Sequence, residues 1–151
     1  MKFSPACVSA LLAPVLVTAR LSGEFDERHL AASDCVCSDG NPVIEVNGND
    51  FRDLINDCIN DSCPSSYNGQ FNCWNTSKVT NMESAFAEQR NFDDPLECWN
   101  TSQVTDMAYM FDRATSFNQS IAEWNTSKVT NMDSMFREAS SFDQSIAEWN
   151  T

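Results

Sequence analysis

The residues best suited to chemistry in this chain are its cysteines. Six remain, Cys35, Cys37, Cys58, Cys63, Cys73 and Cys98, once a leader carrying Cys7 is cut away. An even count behind a secretory leader reads as disulfides, because an oxidising compartment couples thiols. Six cysteines permit fifteen pairings, and spacing constrains one of them. Cys73 and Cys98 each precede a tryptophan, Trp74 and Trp99, and so hold equivalent places in successive repeats. On adjacent rungs of a stack they would sit about 4.8 Å apart, inside the Cα range of about 4.4–6.8 Å that a disulfide accepts. The spacing therefore predicts a Cys73–Cys98 bond and leaves the pairing of Cys35, Cys37, Cys58 and Cys63 open. Zinc held by Cys35-x-Cys37 and Cys58-x4-Cys63 is the weaker reading, since neither has the usual C-x2-C spacing.

Other reactive constellations are thin. The single histidine, His29, lies in a polar lead-in, and a Ser-His-Asp or Cys-His site would have to use it. Asp93-Asp94 are adjacent on a polar turn, where two carboxylates rarely converge on one bond. Four glycines offer no phosphate loop, and no Asp-x-Asp-x-Asp-Gly calcium loop occurs. The expectation is a protein that is not an enzyme and has no catalytic residue, metal or cofactor. With 22 Asp+Glu against 9 Lys+Arg, the net charge is −13. Such a surface argues against nucleic acid, whose phosphates demand basic partners, and against docking on anionic lipid.

What positions these residues is a repeat. Trp74, Trp99, Trp124 and Trp149 recur at one constant interval, each opening Trp-Asn-Thr-Ser-x-Val-Thr-x-Met (the last only as far as Trp149-Asn150-Thr151). Units 99–123 and 124–148 agree at about 17 of 25 positions, so they align without a gap. Such self-similarity predicts stacked units. The apolar letters become core ladders: Trp74, Trp99, Trp124 and Trp149; Val79, Val104 and Val129; Met82, Met107 and Met132; Phe86, Phe111 and Phe136; Phe92, Phe117 and Phe142. Ser120 to Asn125 and Val129 to Met132 suit short extended segments. Asp133 to Ala139 suits a helical turn or two with Asp133 as N-cap. The fold class expected is an α+β repeat solenoid, with short strands and a short helical turn per rung.

Ahead of the units, Lys2, the apolar run Ala6 to Val17 and the small residues ending at Ala19 read as a signal peptide over 1–19. That run is too short to span a bilayer, and no later stretch is long enough. Residues 20–49 form a partly disordered, cysteine-containing lead-in, within which Val43 to Val46 reads as a strand between turn signals. Residues 50–73 form an N-terminal cap, whose helix carries Phe51, Leu54, Ile55, Cys58 and Ile59 on one face and Asn49 or Asp50 as its start. Residues 74–151 hold the units and a truncated fourth, which reads as a fragment of a longer array.

The triplets at Asn75, Asn100 and Asn125 are both N-glycosylation sequons and a polar ladder able to satisfy backbone groups at a corner. Recurrence beside the tryptophan favours the ladder. Asn60 and Asn118 also begin sequons, and Asn60 is the better glycan candidate because it ends the polar side of the cap helix.

The string Trp124 to Phe136 resembles the 25–26-residue surface-protein repeats of Mycoplasma and Listeria-type surface lipoproteins, also called BspA-like, a group mostly of unknown function and related to leucine-rich repeats. The resemblance covers 74–151 and extends weakly through Phe51 to Ile55 and Tyr67 to Trp74. Ala85 replaces the methionine of later units, and Asp94-Pro95 replaces Gln-Ser. The bacterial lipid-anchor cysteine is expected to have no counterpart, because Cys7 lies at the start of the apolar run instead of ending it. The resemblance implies a leucine-rich-repeat-like solenoid outside the cell and carries over no catalytic residue. Together these readings predict a secreted or cell-surface binding or adhesion module. Its protein or glycan ligand would meet variable positions 83, 87, 88, 108, 109, 112, 133 and 137. A self-associating extracellular coat or matrix is the alternative. A row of Thr80, Thr105 and Thr130 for ice or mineral is weaker, since Thr-x-Thr rows are missing.

Overall fold

The computed structural model describes residues 35, 37, 40–67 and 69–149. The signal-peptide stretch 1–19, the lead-in to residue 34, His29, and Asn150-Thr151 of the fourth unit lie outside the described residues.

Helix α1 spans Gly48–Ile59. Its apolar residues fall at helical spacing, and Phe51, Leu54 and Ile55 are buried. The start is one turn signal earlier than Asn49 or Asp50: Asn47 is the N-cap in an extended conformation, and Gly48 has φ +55°, a backbone conformation glycine adopts without strain. Asn47 makes no side-chain cap bond. Its Oδ1 instead accepts from Thr80 N–H at 2.6 Å, Thr80 Oγ1 at 3.2 Å and Asn81 N–H at 3.3 Å. The helix ends where Asn60 donates from its backbone and from Nδ2 to Asn56 O. A 3-10 turn, Phe71–Cys73, leads into the first tryptophan.

The units lie side by side with equivalent residues facing one another. The N–H groups of Met82, Ser84, Phe86 and Glu88 donate to the carbonyls of Asp106, Ala108, Met110 and Asp112. Those of Met107, Tyr109, Phe111 and Arg113 donate to Asn131, Asp133, Met135 and Arg137. The residues between them close tight turns instead, as in Ala85 N–H to Met82 O and Ala87 N–H to Ser84 O. A threonine row runs the other way: Thr105 and Thr130 each donate N–H and Oγ1 to the carbonyl of the threonine before, Thr80 and Thr105.

This bonding overturns the expected α+β, leucine-rich-repeat-like solenoid. Among the described residues α1 is the one α-helix, and no strand is formed. Single parallel bridges, Asn81↔Asp106, Asp106↔Asn131 and Val43↔Asn75, stand where strands were expected at 129–132 and 43–46. The stretch 133–139 is a chain of turns. An α-helix needs each N–H bonded four residues back, whereas here Met135, Arg137 and Ala139 donate three residues back and the carbonyls of Asp133, Met135 and Arg137 are taken by the unit before. Ser84, Tyr109 and Ser134, and again Glu88, Arg113 and Glu138, have φ between 52° and 63°, which no helix tolerates. A non-glycine residue there costs about 1–2 kcal/mol. Each bond to the next unit returns about 1 kcal/mol net, and core burial supplies the rest.

The rings stack in register. Trp74, Trp99, Trp124 and Trp149 follow one another at 6.3, 6.2 and 6.4 Å, within 7° of parallel. Phe86, Phe111 and Phe136 do so at 5.4 and 5.6 Å, and Phe92, Phe117 and Phe142 at 6.1 and 5.9 Å. Val79, Val104, Met82 and Met107 fill the space between them without exposure, while Val129 and Met132 are half-buried. Trp99, Trp124 and Trp149 donate Nε1–H to Phe71 O, Leu96 O and Ile121 O. Trp74 Nε1, at the capped end, is buried without a partner.

Cys73 and Cys98 are not bonded to each other. Cys35 pairs with Cys98, Cys37 with Cys73, and Cys58 with Cys63, which also removes any zinc reading of these thiols. Cys35 and Cys37 lie two positions apart, and each reaches one of the two equivalent cysteines that precede a repeat tryptophan. One cysteine of the lead-in therefore meets each unit, with Cα separations of 5.5 and 5.8 Å. The backbone of Cys98 is meanwhile held by Asn72, whose Oδ1 accepts its N–H at 2.9 Å.

Candidate binding surface

The turns of three units bring their outermost side chains onto one face. Arg137 grips Asp112 with two parallel bonds, Nε to Oδ1 at 2.8 Å and Nη2 to Oδ2 at 2.6 Å. Its guanidinium lies 5.4 Å from the centre of the Tyr109 ring, and Tyr109 donates its hydroxyl to Asp133 Oδ2 at 3.1 Å. Arg113 joins Glu88 of the unit before to Glu138 of the unit after, and Arg90 also pairs with Glu88. The result is a charged lattice running across the units, able to offer a ligand an aromatic face, guanidinium donors and carboxylate acceptors.

Of the positions expected on a binding face, Glu83, Glu88, Asp133 and Arg137 are exposed and Ala87 and Tyr109 half-buried. Ala108 and Asp112 are corrections: their exposures of 2% and 6% take them off the contact surface. Asp112 instead anchors Arg137 from below. The sequence reading missed Arg113 and the lattice itself, although the signal was there. Asp112/Arg137 and Glu88/Arg113/Glu138 are opposite charges at equivalent places in successive units, separated by the same interval that sets the stack.

The hydrogen bond from Arg137, opposed in part by burial, holds the Asp112 carboxyl below its ordinary value. The hydrogen bond from Arg113 does the same for Glu88. Arg113 and Arg137 are pushed up by the same pairs. Asp94 goes the other way, raised by burial and then by its neighbour Asp93. A carboxyl depressed by folding contributes stability above its unfolded pKa, and that contribution is lost as pH falls through the depressed value. Thermal melts between about pH 2 and 7 should therefore show the midpoint falling below the ordinary carboxylate range. Asp112→Asn should lower the midpoint at neutral pH and flatten that fall. Asp94, whose protonation favours the folded state, offsets part of the loss.

The predicted sequons are scattered and do not form one site. Asn75, Asn100 and Asn125 each accept a backbone N–H two residues on, from Ser77, Ser102 and Ser127, at 3.0–3.1 Å. Between them, buried Thr76 and Thr101 donate to Asn100 O and Asn125 O. Exposed Asn118 accepts from Asp143 N–H and Gln144 Nε2, and exposed Asn60 closes α1. Thr105 and Thr130, both exposed, each donate their hydroxyl proton to the threonine carbonyl of the unit before. Beside the tryptophan corner, residues 122–127 and Glu148 line an open, polar groove of about 690 Å³.

A family model described as Mycoplasma protein of unknown function, DUF285, matches residues 55–151. The chain belongs to this family. The DUF285 stretch takes in the end of α1 and all the stacked units, and leaves Cys35 and Cys37 outside it. Neither a curated protein nor a solved structure matches the chain. Among the described residues no helix is long and apolar enough to cross a membrane, and no cluster of His, Cys, Asp and Glu is placed to hold a metal ion. The three disulfides fit an extracellular or otherwise oxidising environment.

Proposed function

We propose that the chain is a secreted or cell-surface binding module, and that a protein or glycan ligand lies across the turn face of units 74–148. The observation that carries this reading is a contrast within the chain. The tryptophan, valine and phenylalanine positions of the core keep their letter from unit to unit, while positions that reach the surface change: Ser84, Tyr109, Ser134; Glu88, Arg113, Glu138; Arg90, Thr115, Ser140. Constant core with changing surface is the pattern of a scaffold that displays side chains for recognition. Tyrosine and arginine, the residues richest in contact energy at interfaces, meet at Tyr109 and Arg137. The leader-like N-terminus, the three disulfides and the resemblance to bacterial surface repeats support a place outside the cell.

The test is a screen of the folded full chain against arrays of glycans and extracellular proteins. A binder should lose about tenfold or more in affinity on Tyr109→Asn, a residue type that accepts the positive φ at this position, with the melting temperature little changed. A screen that returns no ligand, or a ligand indifferent to Tyr109 and Arg137, would count against the proposal.

A further inference from the structure

The asparagine row beside the tryptophans uses only part of each side chain. Asn100 Oδ1 accepts the N–H of Ser102 at 3.1 Å, as Asn75 and Asn125 do from Ser77 and Ser127. A carboxamide carries its oxygen and its nitrogen on opposite sides, so this bond faces Nδ2 away from the turn. Among the described residues Asn100 Nδ2 has no acceptor. Asn100 is exposed with a unit on either side of it, 74–98 and 124–148, so its exposure does not come from an open end of the stack. Of the two residues that follow, Thr101 is buried and donates to Asn125 O, while Ser102 stays half-buried at the surface.

Along the chain, the ladder role and the sequon role compete for Asn100; in three dimensions they fall to different atoms. We infer that Asn100 carries an N-linked glycan on Nδ2 while Oδ1 continues to hold Ser102. The co-reactant is an oligosaccharide joined through a diphosphate to a lipid carrier. Nδ2 attacks the anomeric carbon of its first sugar and an N–C bond forms. The C–O bond to the diphosphate breaks, and the lipid diphosphate leaves with that electron pair. One Nδ2 proton passes to a base of the transferase, and nothing is oxidised or reduced. Oδ1 takes no part, so the corner bond survives the transfer. The hydroxyl of Ser102 completes the Asn-x-Ser pattern that marks an acceptor. Such a glycan presupposes the place outside the cell proposed above.

The other sequons are placed less favourably, which reverses the order expected from the sequence. Asn60 is exposed, but its Nδ2 donates to Asn56 O at 2.7 Å and helps to end α1. Asn75 is half-buried, and its N–H and carbonyl are both bonded to the lead-in, at Pro42 O and Ile44 N–H. Asn118 Oδ1 is held from the next unit by Asp143 N–H and Gln144 Nε2, so its carboxamide lies against a neighbouring side chain. Asn125 repeats the Asn100 arrangement.

The test secretes the full chain, residues 1–151, from a eukaryotic host and treats it with peptide:N-glycanase in heavy-oxygen water. Each glycosylated asparagine becomes an isotope-labelled aspartate, read by peptide mass spectrometry. Label at Asn100 is expected, and it should vanish in Asn100→Asp and equally in Ser102→Ala. Asn100→Asp keeps an acceptor for the Ser102 N–H, and Ser102→Ala keeps that N–H, so both variants should fold with the three disulfides intact. A secreted, disulfide-bonded chain that is bare at Asn100 overturns the assignment, even if Asn60 or Asn118 is marked. So does label at Asn100 that persists in Ser102→Ala, because it then comes from spontaneous deamidation. A chain that never enters the secretory pathway sinks the extracellular placement as well, so the two failures are told apart.

Discussion

Phe111→Ala should cost about 3–5 kcal/mol of folding stability. The ring has no exposure. It stacks on Phe117 at 4.1 Å, Phe86 at 5.4 Å and Phe136 at 5.6 Å, so truncation opens a cavity touched by all three units. The same change at Phe136, on the open face, should cost about half as much, because that ring is already half in water. Denaturant titration of the two variants measures the difference. Equal losses would mean that the units do not bury one another as described.

Removing the lead-in staples is the second large effect. The Cys35–Cys98 bond spans 63 residues and Cys37–Cys73 spans 36. Loop closure entropy assigns each about 4 kcal/mol, and measured values run at about 2–5. Cys58–Cys63, separated by 5, should contribute about 2 kcal/mol by the same relation. Paired serine substitutions, Cys35→Ser with Cys98→Ser, Cys37→Ser with Cys73→Ser, and Cys58→Ser with Cys63→Ser, compared by reversible denaturation, should rank in that order. A Cys58/Cys63 variant as costly as the other two would show that the lead-in does not hold the first units.

The core was readable because it depends on period alone: a constant interval puts Trp on Trp and Phe on Phe whatever the backbone does between them. The face of α1 was readable for the same reason. The backbone of the units was not, because its signals were absent. Chains turn left at glycine or asparagine by habit, yet here Ser, Tyr, Glu and Arg hold the positive φ angles. Only a neighbouring unit, by bonding alternate N–H groups or alternate carbonyls, makes those turns worthwhile. Asp133 to Ala139 therefore carries good helix formers and forms no helix. The cysteine pairing went wrong by treating Cys73 and Cys98 as a pair in isolation. The two-residue spacing of Cys35 and Cys37 was the stronger clue, since it matches one cysteine to each unit. The surface lattice was visible in opposite charges one repeat apart, while the burial of Ala108 and Asp112 depended on turn geometry that periodicity does not convey.

The most direct test of turn-on-turn stacking is the measurement of through-hydrogen-bond scalar couplings by NMR on the full chain. Couplings are expected from the amides of Met107, Tyr109, Phe111 and Arg113 to the carbonyls of Asn131, Asp133, Met135 and Arg137. Couplings from residues 137–139 to carbonyls four residues back in the same unit, as in a helix, would contradict the account.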